Sequence, residues 1–360
     1  MDEKEIISKL QQVTRELLDS TGFVEVINFK LQGKQKSLSD QGYKPDFVLE
    51  VRTGKKNNYL LIFEVKSFGQ PRYVRMAANL LQSLITEKRK YYGVFGAPFV
   101  SEESRQICRE EGIGFVDLAG NCLFKFDNVS ISMEGKPNPY PARWLLKSIF
   151  STRSTRVLRV LLDDPKREWF VRDLAEAAGI SIGLASNVKR RLFEYELIEE
   201  IGEGRGRKIR LSDPFNLLNR WASNYSYRRN TLRNFYSVDN VEVIEQGISE
   251  FCERNRIQYA FTLTSGASRV APFLRYKRVF AYMSEPIEPI VQELKLKEVT
   301  SGPNVTLLAP YDEGIFYNAQ DIRGVKVVSD FQLYLDLQSY KERGEEAAEF
   351  LLENRLKKKW

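Results

Sequence analysis

Residues 171–211 read VRDLAEAAGISIGLASNVKRRLFEYELIEEIGEGRGRKIRL, and this stretch carries the most informative pattern in the chain. Apolar side chains first recur at helical spacing, at Val171, Leu174, Ala175 and Ala178. Gly179 can then adopt the left-handed conformation that ends a helix, and Ser181 can cap the next one. The second helix directs three apolar side chains inward, Leu184, Val188 and Leu192. The stretch therefore predicts two helices joined by a sharp turn.

A glycine-rich hairpin follows these helices. Residues 197–201 and 208–211 are predicted to pair as strands, and residues 202–207, GEGRGR, form the tip between them. A long amphipathic helix is expected before the pair, from Trp144 to Leu162. This order predicts a winged helix-turn-helix from about Arg143 to about Asp213, a module that places its second helix in the major groove of DNA.

The candidate DNA-binding residues occupy the second helix and the hairpin. The N-terminal half of the helix is expected to face base edges, while its cations and those of the hairpin meet phosphates or the minor groove. The residues are Ser181, Ser186, Asn187, Lys189, Arg190, Arg205, Arg207 and Lys208. An alternative is that the module serves only as a dimer or protein contact.

The charge of the chain is concentrated around this module. The 360 residues carry a net charge of +7. Residues 143–236 hold 19 Lys and Arg against 11 Asp and Glu, whereas the rest of the chain holds 36 against 37. A localised excess of this kind is typical of a surface that binds a polyanion, so double-stranded DNA is the expected partner.

Composition excludes several classes of protein. The chain has no histidine, which excludes every mechanism that needs a histidine base. Its three cysteines are far apart and form no CxxC pair, so neither a disulfide framework nor a structural zinc site is expected. No apolar run reaches the ~18 residues that span a membrane, and the amphipathic start does not resemble a signal peptide. We expect a cytoplasmic protein without a membrane contact.

The first block, residues 1–140, is predicted to run helix, three strands, helix, strand. Pro45-Asp46 begins one strand, and Glu64-Val65-Lys66 ends the next. In a strand Glu64 and Lys66 point to the same face, and Asp46 on the neighbouring strand can approach Glu64. Ordinary turn chemistry and a solvated strand end are the alternative explanation. The apolar run at residues 60–63 indicates instead a central, buried strand.

This motif and this order of elements resemble the PD-(D/E)xK nuclease superfamily, which implies a restriction-endonuclease-like fold. The resemblance implies Asp46, Glu64 and Lys66 as catalytic residues. Mg²⁺ would bind to the Asp46 and Glu64 carboxylates and the Val65 carbonyl oxygen. Glu16, on the first helix, is a further candidate acid.

The third block, residues 236–360, is predicted to be α/β. A strand from Ala260 enters a turn at Ser265-Gly266, which is similar to nucleotidyltransferases. Those enzymes need paired acids on the following strand, and here the strand Arg278–Met283 has none. We therefore expect a degenerate nucleotidyltransferase-like domain that serves assembly or partner contact.

Three stretches together resemble the AbiEi-type antitoxins of type IV toxin–antitoxin systems and related transcriptional regulators. They are residues 112–121, the predicted winged helix with Ser212-Asp213-Pro214, and residues 329–348. The resemblance implies a DNA-binding regulator with a toxin protein as a further partner. It departs in order, because the familiar antitoxins begin with the winged helix.

The sequence thus predicts a multidomain α/β and α+β chain, with the winged helix at residues 141–235 between the other two domains. The leading hypothesis is a DNA-binding transcriptional regulator that needs no cofactor for DNA binding. The alternative is a Mg²⁺-dependent DNA endonuclease that its winged helix targets. A homodimer is also expected, because such modules commonly bind paired half-sites.

Overall fold

The computed structural model describes residues 1–31, 44–54, 57–84, 90–139, 149–270, 276–340 and 344–360. Contacts divide the chain into two compact units, Met1–Ala142 with Phe193–Glu196, and Arg143–Leu192 with Leu197–Trp360. The predicted start of a helix at Trp144 lies outside the described residues. The mixed α/β class is confirmed, and the finer division of the second unit at residue 235 stays a prediction.

The first unit is a seven-stranded sheet with helices against it. The helices are α1 Glu3–Asp19, α2 Pro71–Gln82 and α3 Glu102–Glu110. The strands are β1 Val24–Leu31, β2 Phe47–Thr53, β3 Asn57–Val65, β4 Tyr91–Ala97, β5 Gly114–Asp117, β6 Cys122–Phe126 and β7 Val129–Met133. They lie in sequence order across the sheet. Only the β3–β4 and β4–β5 pairs are parallel, and α2 and α3 provide their crossovers.

Local sequence accounts for these helices. The Asp2 carboxylate caps α1 by accepting the Glu5 N–H at 2.8 Å, and Ser101 caps α3 in the same way. Pro71 occupies the first turn of α2, where its missing N–H costs nothing. One core cluster includes apolar residues of α1, and a second includes those of α2 and α3. The central strand β3 is buried along residues 61–65, as its apolar run predicts.

Three helices and a hairpin follow, which we call the central module (residues 149–213); all of it belongs to the second unit except Phe193–Glu196. Its helices are α4 Ser154–Asp163, α5 Val171–Ala177 and α6 Ile182–Glu194, and its strands are β8 Ile198–Ile201 and β9 Lys208–Leu211. The two strands pair antiparallel around the 3-10 helix Gly204–Gly206. Trp169 forms an isolated antiparallel bridge with Ile209 beside them.

The predicted helix Trp144–Leu162 is wrong in its middle. A turn occupies residues 150–153, and α4 begins only at Ser154. The Ser151 and Ser154 hydroxyls are hydrogen-bonded at 2.9 Å, and the Thr155 hydroxyl donates to the Thr152 carbonyl at 2.7 Å. Serine and threonine side chains that bond to nearby groups in this way compete with helix formation, which explains the break.

The rest of the second unit surrounds another seven-stranded sheet, in the order β13-β10-β14-β12-β11-β16-β15. Its strands are β10 Thr231–Tyr236, β11 Tyr259–Phe261, β12 Val279–Met283, β13 Lys297–Glu298, β14 Val305–Ala309, β15 Gln320–Ile322 and β16 Val325–Val327. The helices are α7 Pro214–Ala222, α8 Val241–Asn255, α9 Leu263–Val270, α10 Glu288–Glu293, α11 Asp330–Gln338 and α12 Gly344–Leu351. A π-helix, Leu352–Leu356, and α13 Lys357–Lys359 end the chain.

The expected glycine turn after β11 is wrong. Ser265-Gly266 lies inside α9, whose first residue, Leu263, already turns the chain with a φ of 49°. A side chain at residue 266 would meet the Leu333 side chain at 3.0 Å, so close packing against α11 accounts for this glycine. Among the helices of the described ranges, none is long and apolar enough to cross a membrane.

Candidate active site and nucleic-acid interface

Asp46 lies at the start of β2, where backbone contacts to β3 fix its position. Its N–H donates to the Phe63 carbonyl at 3.1 Å. Its carboxylate oxygen Oδ2 accepts the Val65 N–H at 2.6 Å. Asp46 is therefore held beside the last two residues of β3, as the sequence predicts.

Glu64 and Lys66 form an ion pair at the end of the same strand. Their atoms Oε1 and Nζ are 2.5 Å apart. Glu64 is buried, whereas 28% of the Lys66 side-chain surface is exposed, so this side chain reaches solvent. The Lys66 N–H continues the sheet by donating to the Gly96 carbonyl at 2.9 Å. The structure thus brings Asp46, Glu64 and Lys66 together at one end of the sheet.

Burial raises the pKa of Asp46 to about 6. The hydrogen bond from Val65 lowers this pKa, the charge of Glu64 raises it, and the Lys66 ammonium opposes that rise. The charge of Glu3 on α1 raises it as well. Glu16, the acid that sequence reasoning selected on this helix, is exposed and accepts a hydrogen bond from Gln12. Glu3 is therefore the α1 acid whose charge affects Asp46.

The chemistry of the donor set is compatible with a divalent cation. Asp46 is a half-buried carboxyl whose charged form is disfavoured, and a cation beside it would reverse that effect. Across the described ranges, no group of three or more acidic, cysteine or histidine side chains could hold a metal. Asp46 and Glu64 would supply two carboxylates, so carbonyl, water or phosphate oxygens must complete the coordination of Mg²⁺.

The turn of the central module has the geometry that its sequence predicts. Gly179 has a φ of +60° and follows the end of α5. The Ser181 hydroxyl accepts the Leu184 N–H at 3.3 Å, so it caps α6. In this cap the Ser181 hydroxyl oxygen is the acceptor. The bond fixes the direction in which α6 leaves the turn.

One face of α6 is exposed to solvent. Val188 and Leu192 are buried against the module, as expected, while Leu184 is only half-buried. The exposed residues are Ser181, Ile182, Gly183, Ser186, Asn187 and Arg190. Arg190 donates to the Asn187 side-chain oxygen at 3.2 Å, so these two polar groups are positioned together on that face.

The cations around the hairpin are paired with carboxylates. Lys189 and Arg207 both bond to Glu200, the latter at 3.1 Å. Lys208 lies 3.3 Å from Glu168. The side chain of Arg205 lies outside the described residues. Because exposed ion pairs contribute at most about 1 kcal/mol, a phosphate can compete for Arg207 and Lys208. Lys189 is less exposed and is the most firmly held of the three.

Sequence reasoning missed a buried polar cluster around Asp336 on α11. The carboxylate accepts hydrogen bonds from Thr262 at 2.5 Å, Tyr225 at 2.6 Å, Gln332 at 2.9 Å and Tyr282 at 3.0 Å. Burial raises the pKa of Asp336 to about 6. Gln332 lies one turn from Asp336 on α11, but Tyr225, Thr262 and Tyr282 come from separate parts of the chain, so no local spacing signals the cluster.

Comparisons with known proteins concern mainly the C-terminal part. A family model described as "Transcriptional regulator, AbiEi antitoxin, Type IV TA system" matches residues 210–357. That range includes residues 329–348, which carry part of the predicted resemblance, but it contains neither residues 112–121 nor the helices of the central module. The resemblance to AbiEi-type regulators is thus supported over less than half of the chain.

One solved structure with similarity is described as "Structure of EndoMS in apo form". The chain is 12% identical to it, with a TM-score of 0.20, and the match covers 30% of this chain and 45% of that one. The chain therefore spans less than half of the length of that structure, and so low a TM-score carries no argument about fold. No curated protein matches the chain.

Proposed function

We propose that the chain is a transcriptional regulator that binds double-stranded DNA through its central module, acting as a winged helix-turn-helix. The exposed face of α6 carries this proposal, because it presents Ser186, Asn187 and Arg190 beyond a capped N-terminus and a sharp turn. Asparagine and arginine are side chains that read base edges and bind phosphates, and α6 is long enough to lie along a major groove.

Charge supports the same proposal. The excess of Lys and Arg falls in residues 143–236, and the rest of the chain is nearly neutral. DNA affinity at low salt depends mainly on such cations, because each phosphate contact releases bound counterions. The carboxylate partners of Lys189, Arg207 and Lys208 reduce this effect locally. Moderate affinity with a clear salt dependence is the expected result.

We also propose that the regulator is the antitoxin of a type IV toxin–antitoxin system. The match of residues 210–357 to the antitoxin family supports this role and implies a toxin protein as a partner. Strand β12 of this region has no acid, so we assign the nucleotidyltransferase-like block to assembly or partner contact rather than to catalysis. A homodimer, if formed, would present two central modules to paired half-sites.

Fluorescence anisotropy with a labelled mixed-sequence duplex tests DNA binding. The Asn187→Ala/Arg190→Ala variant is expected to lose roughly 30-fold or more in affinity, since each contact is worth roughly 1 kcal/mol or more and the two together about 2 kcal/mol or more. Arg323→Ala changes an exposed arginine in the β15–β16 turn and is the matched control, with affinity expected within about twofold of the parent protein. Equal affinity of the two variants would exclude α6 as the DNA contact.

A second candidate function is a Mg²⁺-dependent DNA endonuclease in the first unit, within a restriction-endonuclease-like fold. The observation that favours it is the grouping of Asp46, Glu64 and Lys66 at one sheet end. A divalent cation there would activate water and stabilise the phosphorane charge. Asp46, Glu64 and the Val65 carbonyl oxygen would hold it, and Lys66 would orient the attacking water.

Supercoiled plasmid incubated with Mg²⁺ or Mn²⁺ tests the endonuclease. The parent protein is expected to nick the plasmid, and Asp46→Asn/Glu64→Gln, which keeps the shape of both side chains, is expected to lose that activity. Asp19→Asn, an exposed carboxyl at the end of α1, is the control that retains nicking. Absence of nicking by the parent protein, or equal nicking by the double variant, would reject catalysis at this site.

A further inference from the structure

A cavity of about 360 Å³ lies within the second unit. Its wall includes Arg156 and Arg159 of α4, Ala177 at the end of α5, Gly179 of the α5–α6 turn, and Gly314 and Tyr317. The last two belong to the chain around the 3-10 helix Glu313–Phe316. A cavity of this volume is within the range that small-molecule sites occupy.

Arg159 is the unusual residue of this wall. It is only 1% exposed, and its atoms Nε, Nη1 and Nη2 have no hydrogen-bond partner among the described residues. The Trp221 ring lies 5.1 Å from the guanidinium carbon, a cation–π contact that compensates only part of the lost hydration. A buried guanidinium without an anion is costly, so this group is suited to receive one.

The carboxylate of Asp312 does not neutralise the Arg159 guanidinium. Asp312 accepts bonds from Arg156 Nε at 3.0 Å and Nη2 at 2.8 Å, and from the Gly314 N–H at 2.8 Å. Asp312 is therefore committed to Arg156 and to its own turn, and the charge of Arg159 remains in excess. Glu176 and Glu313 line the cavity as well, but both are exposed, so solvent and salt screen their charges.

Gly314 lines the cavity next to this charge. A Cβ atom there would lie 2.5 Å from Asp312 Oδ1 and 3.4 Å from Arg159 Nε. Any residue other than glycine would therefore fill the narrow space that leads to the guanidinium. We propose that the cavity binds a small molecule with a carboxylate or phosphate group, that the 3-10 helix shifts slightly as this ligand enters, and that the oxygens of the group bond to Arg159.

Such a ligand would also contact the turn that precedes α6. Ala177, Ala178 and Gly179 are part of the cavity wall, and Gly179 holds the left-handed conformation at which the chain turns toward α6. A bound ligand therefore restrains the α5–α6 turn. This effect does not depend on whether α6 binds DNA.

Thermal unfolding with inorganic phosphate as the probe tests the proposal, with chloride at matched ionic strength as the reference. The parent protein is expected to show a saturable rise in Tm of roughly 2–4 °C above the chloride reference. Arg159→Met, which removes the charge and keeps a long apolar side chain, is expected to lose the saturable part. Arg323→Met changes an exposed arginine and should retain it. Phosphate also stabilises proteins non-specifically, and the comparison of these two variants removes that contribution.

Three further measurements keep the test decisive if Arg159→Met does not fold. Arg159→Lys keeps the charge but loses the two-pronged geometry, so it should raise the half-saturating phosphate concentration several-fold. Glu176→Gln/Glu313→Gln should lower the half-saturating phosphate concentration, because it removes two negative charges from the cavity wall. Phosphate should also slow amide hydrogen exchange at residues 177–181. The proposal is overturned by an absent or non-saturable Tm shift in the parent protein, by an undiminished shift in Arg159→Met, or by an unchanged half-saturating phosphate concentration in Arg159→Lys.

Discussion

Asp46 and Asp336 have similarly raised pKa values because both carboxyl groups are shielded from water. Their partners differ. Asp46 accepts one backbone N–H and has the negative charge of Glu64 beside it, whereas Asp336 accepts four side-chain hydrogen bonds. Replacement by an amide is therefore expected to stabilise the protein at Asp46 and to destabilise it at Asp336, although the two pKa values are raised alike.

Asp46→Asn is expected to stabilise the protein at neutral pH. Because the folded state holds the Asp46 proton more tightly than the unfolded chain does, the contribution of Asp46 to stability is complete below about pH 4 and is lost as pH rises through about 6. The free energy of unfolding of the variant should equal that of the parent protein at pH 4. At pH 8 it should be larger by about 1–2 kcal/mol, after allowance for partial solvent screening.

Urea unfolding at a series of pH values measures this difference. Asp336 titrates in the same range in both proteins, so its contribution cancels in the comparison. Asp19→Asn is the exposed control and should show no comparable gain. A loss of stability at pH 8 in Asp46→Asn would contradict the argument. Added Mg²⁺ should stabilise the parent protein and not the variant if the second candidate function holds.

Asp336→Asn is expected to destabilise the protein by about 1–3 kcal/mol at neutral pH. Four donors point at this carboxylate, and an amide would turn its own N–H group toward some of them. Urea unfolding at pH 7 measures the change. Asp321→Asn, at an exposed position on β15, should change stability much less. Equal effects of the two substitutions would show that the cluster contributes no specific stability.

At the scale of elements, periodic apolar patterns located the helices and strands well where local sequence controls them. The central strand β3, the proline at the start of α2 and the Gly179 turn are examples. The patterns failed at residues 150–153, where hydroxyl groups break the predicted helix, and at Gly266, which distant packing places inside α9. In both cases a non-periodic interaction decides the local conformation.

The candidate sites show the same division. Asp46, Glu64 and Lys66 could be selected because adjacent strands and a two-residue period bring them together. The pairing of Lys189 and Arg207 with Glu200 could not be predicted from the sequence, because it depends on how α6 packs beside the hairpin. Arg159 could not be selected either, because α4 is buried on nearly all sides and has no exposed face on which to expect a cation.

Glu200→Gln is expected to strengthen DNA binding through the central module. Removal of this carboxylate releases Arg207 from its ion pair and removes one partner of Lys189, so affinity at low salt should rise several-fold. The slope of log affinity against log salt concentration should steepen by about one to two. Fluorescence anisotropy across a salt series measures both quantities.

Glu250→Gln removes the same charge from an exposed position on α8, outside the module, and is the control. It should raise affinity much less, because long-range charge effects are screened within about 10 Å at moderate salt. Weaker binding by Glu200→Gln would contradict the prediction. That result would mean that Glu200 acts mainly by holding α6 and the hairpin in position.

At the scale of the whole molecule, the two compact units carry different candidate sites. The first holds a buried acidic site at a sheet end, and the second holds the central module together with the region that matches the antitoxin family. The positive charge of the chain is concentrated in residues 143–236. The central claim is that this charge serves to hold DNA against α6.

Amide hydrogen exchange with and without a mixed-sequence duplex at low salt locates the DNA contact along the chain. If DNA lies against α6, exchange slows in α6 and in the hairpin, residues 182–211, and Asn187→Ala/Arg190→Ala reduces that protection. Protection confined to residues 1–139, or no protection of residues 182–211 under conditions in which anisotropy shows the duplex bound, would mean that DNA is held elsewhere.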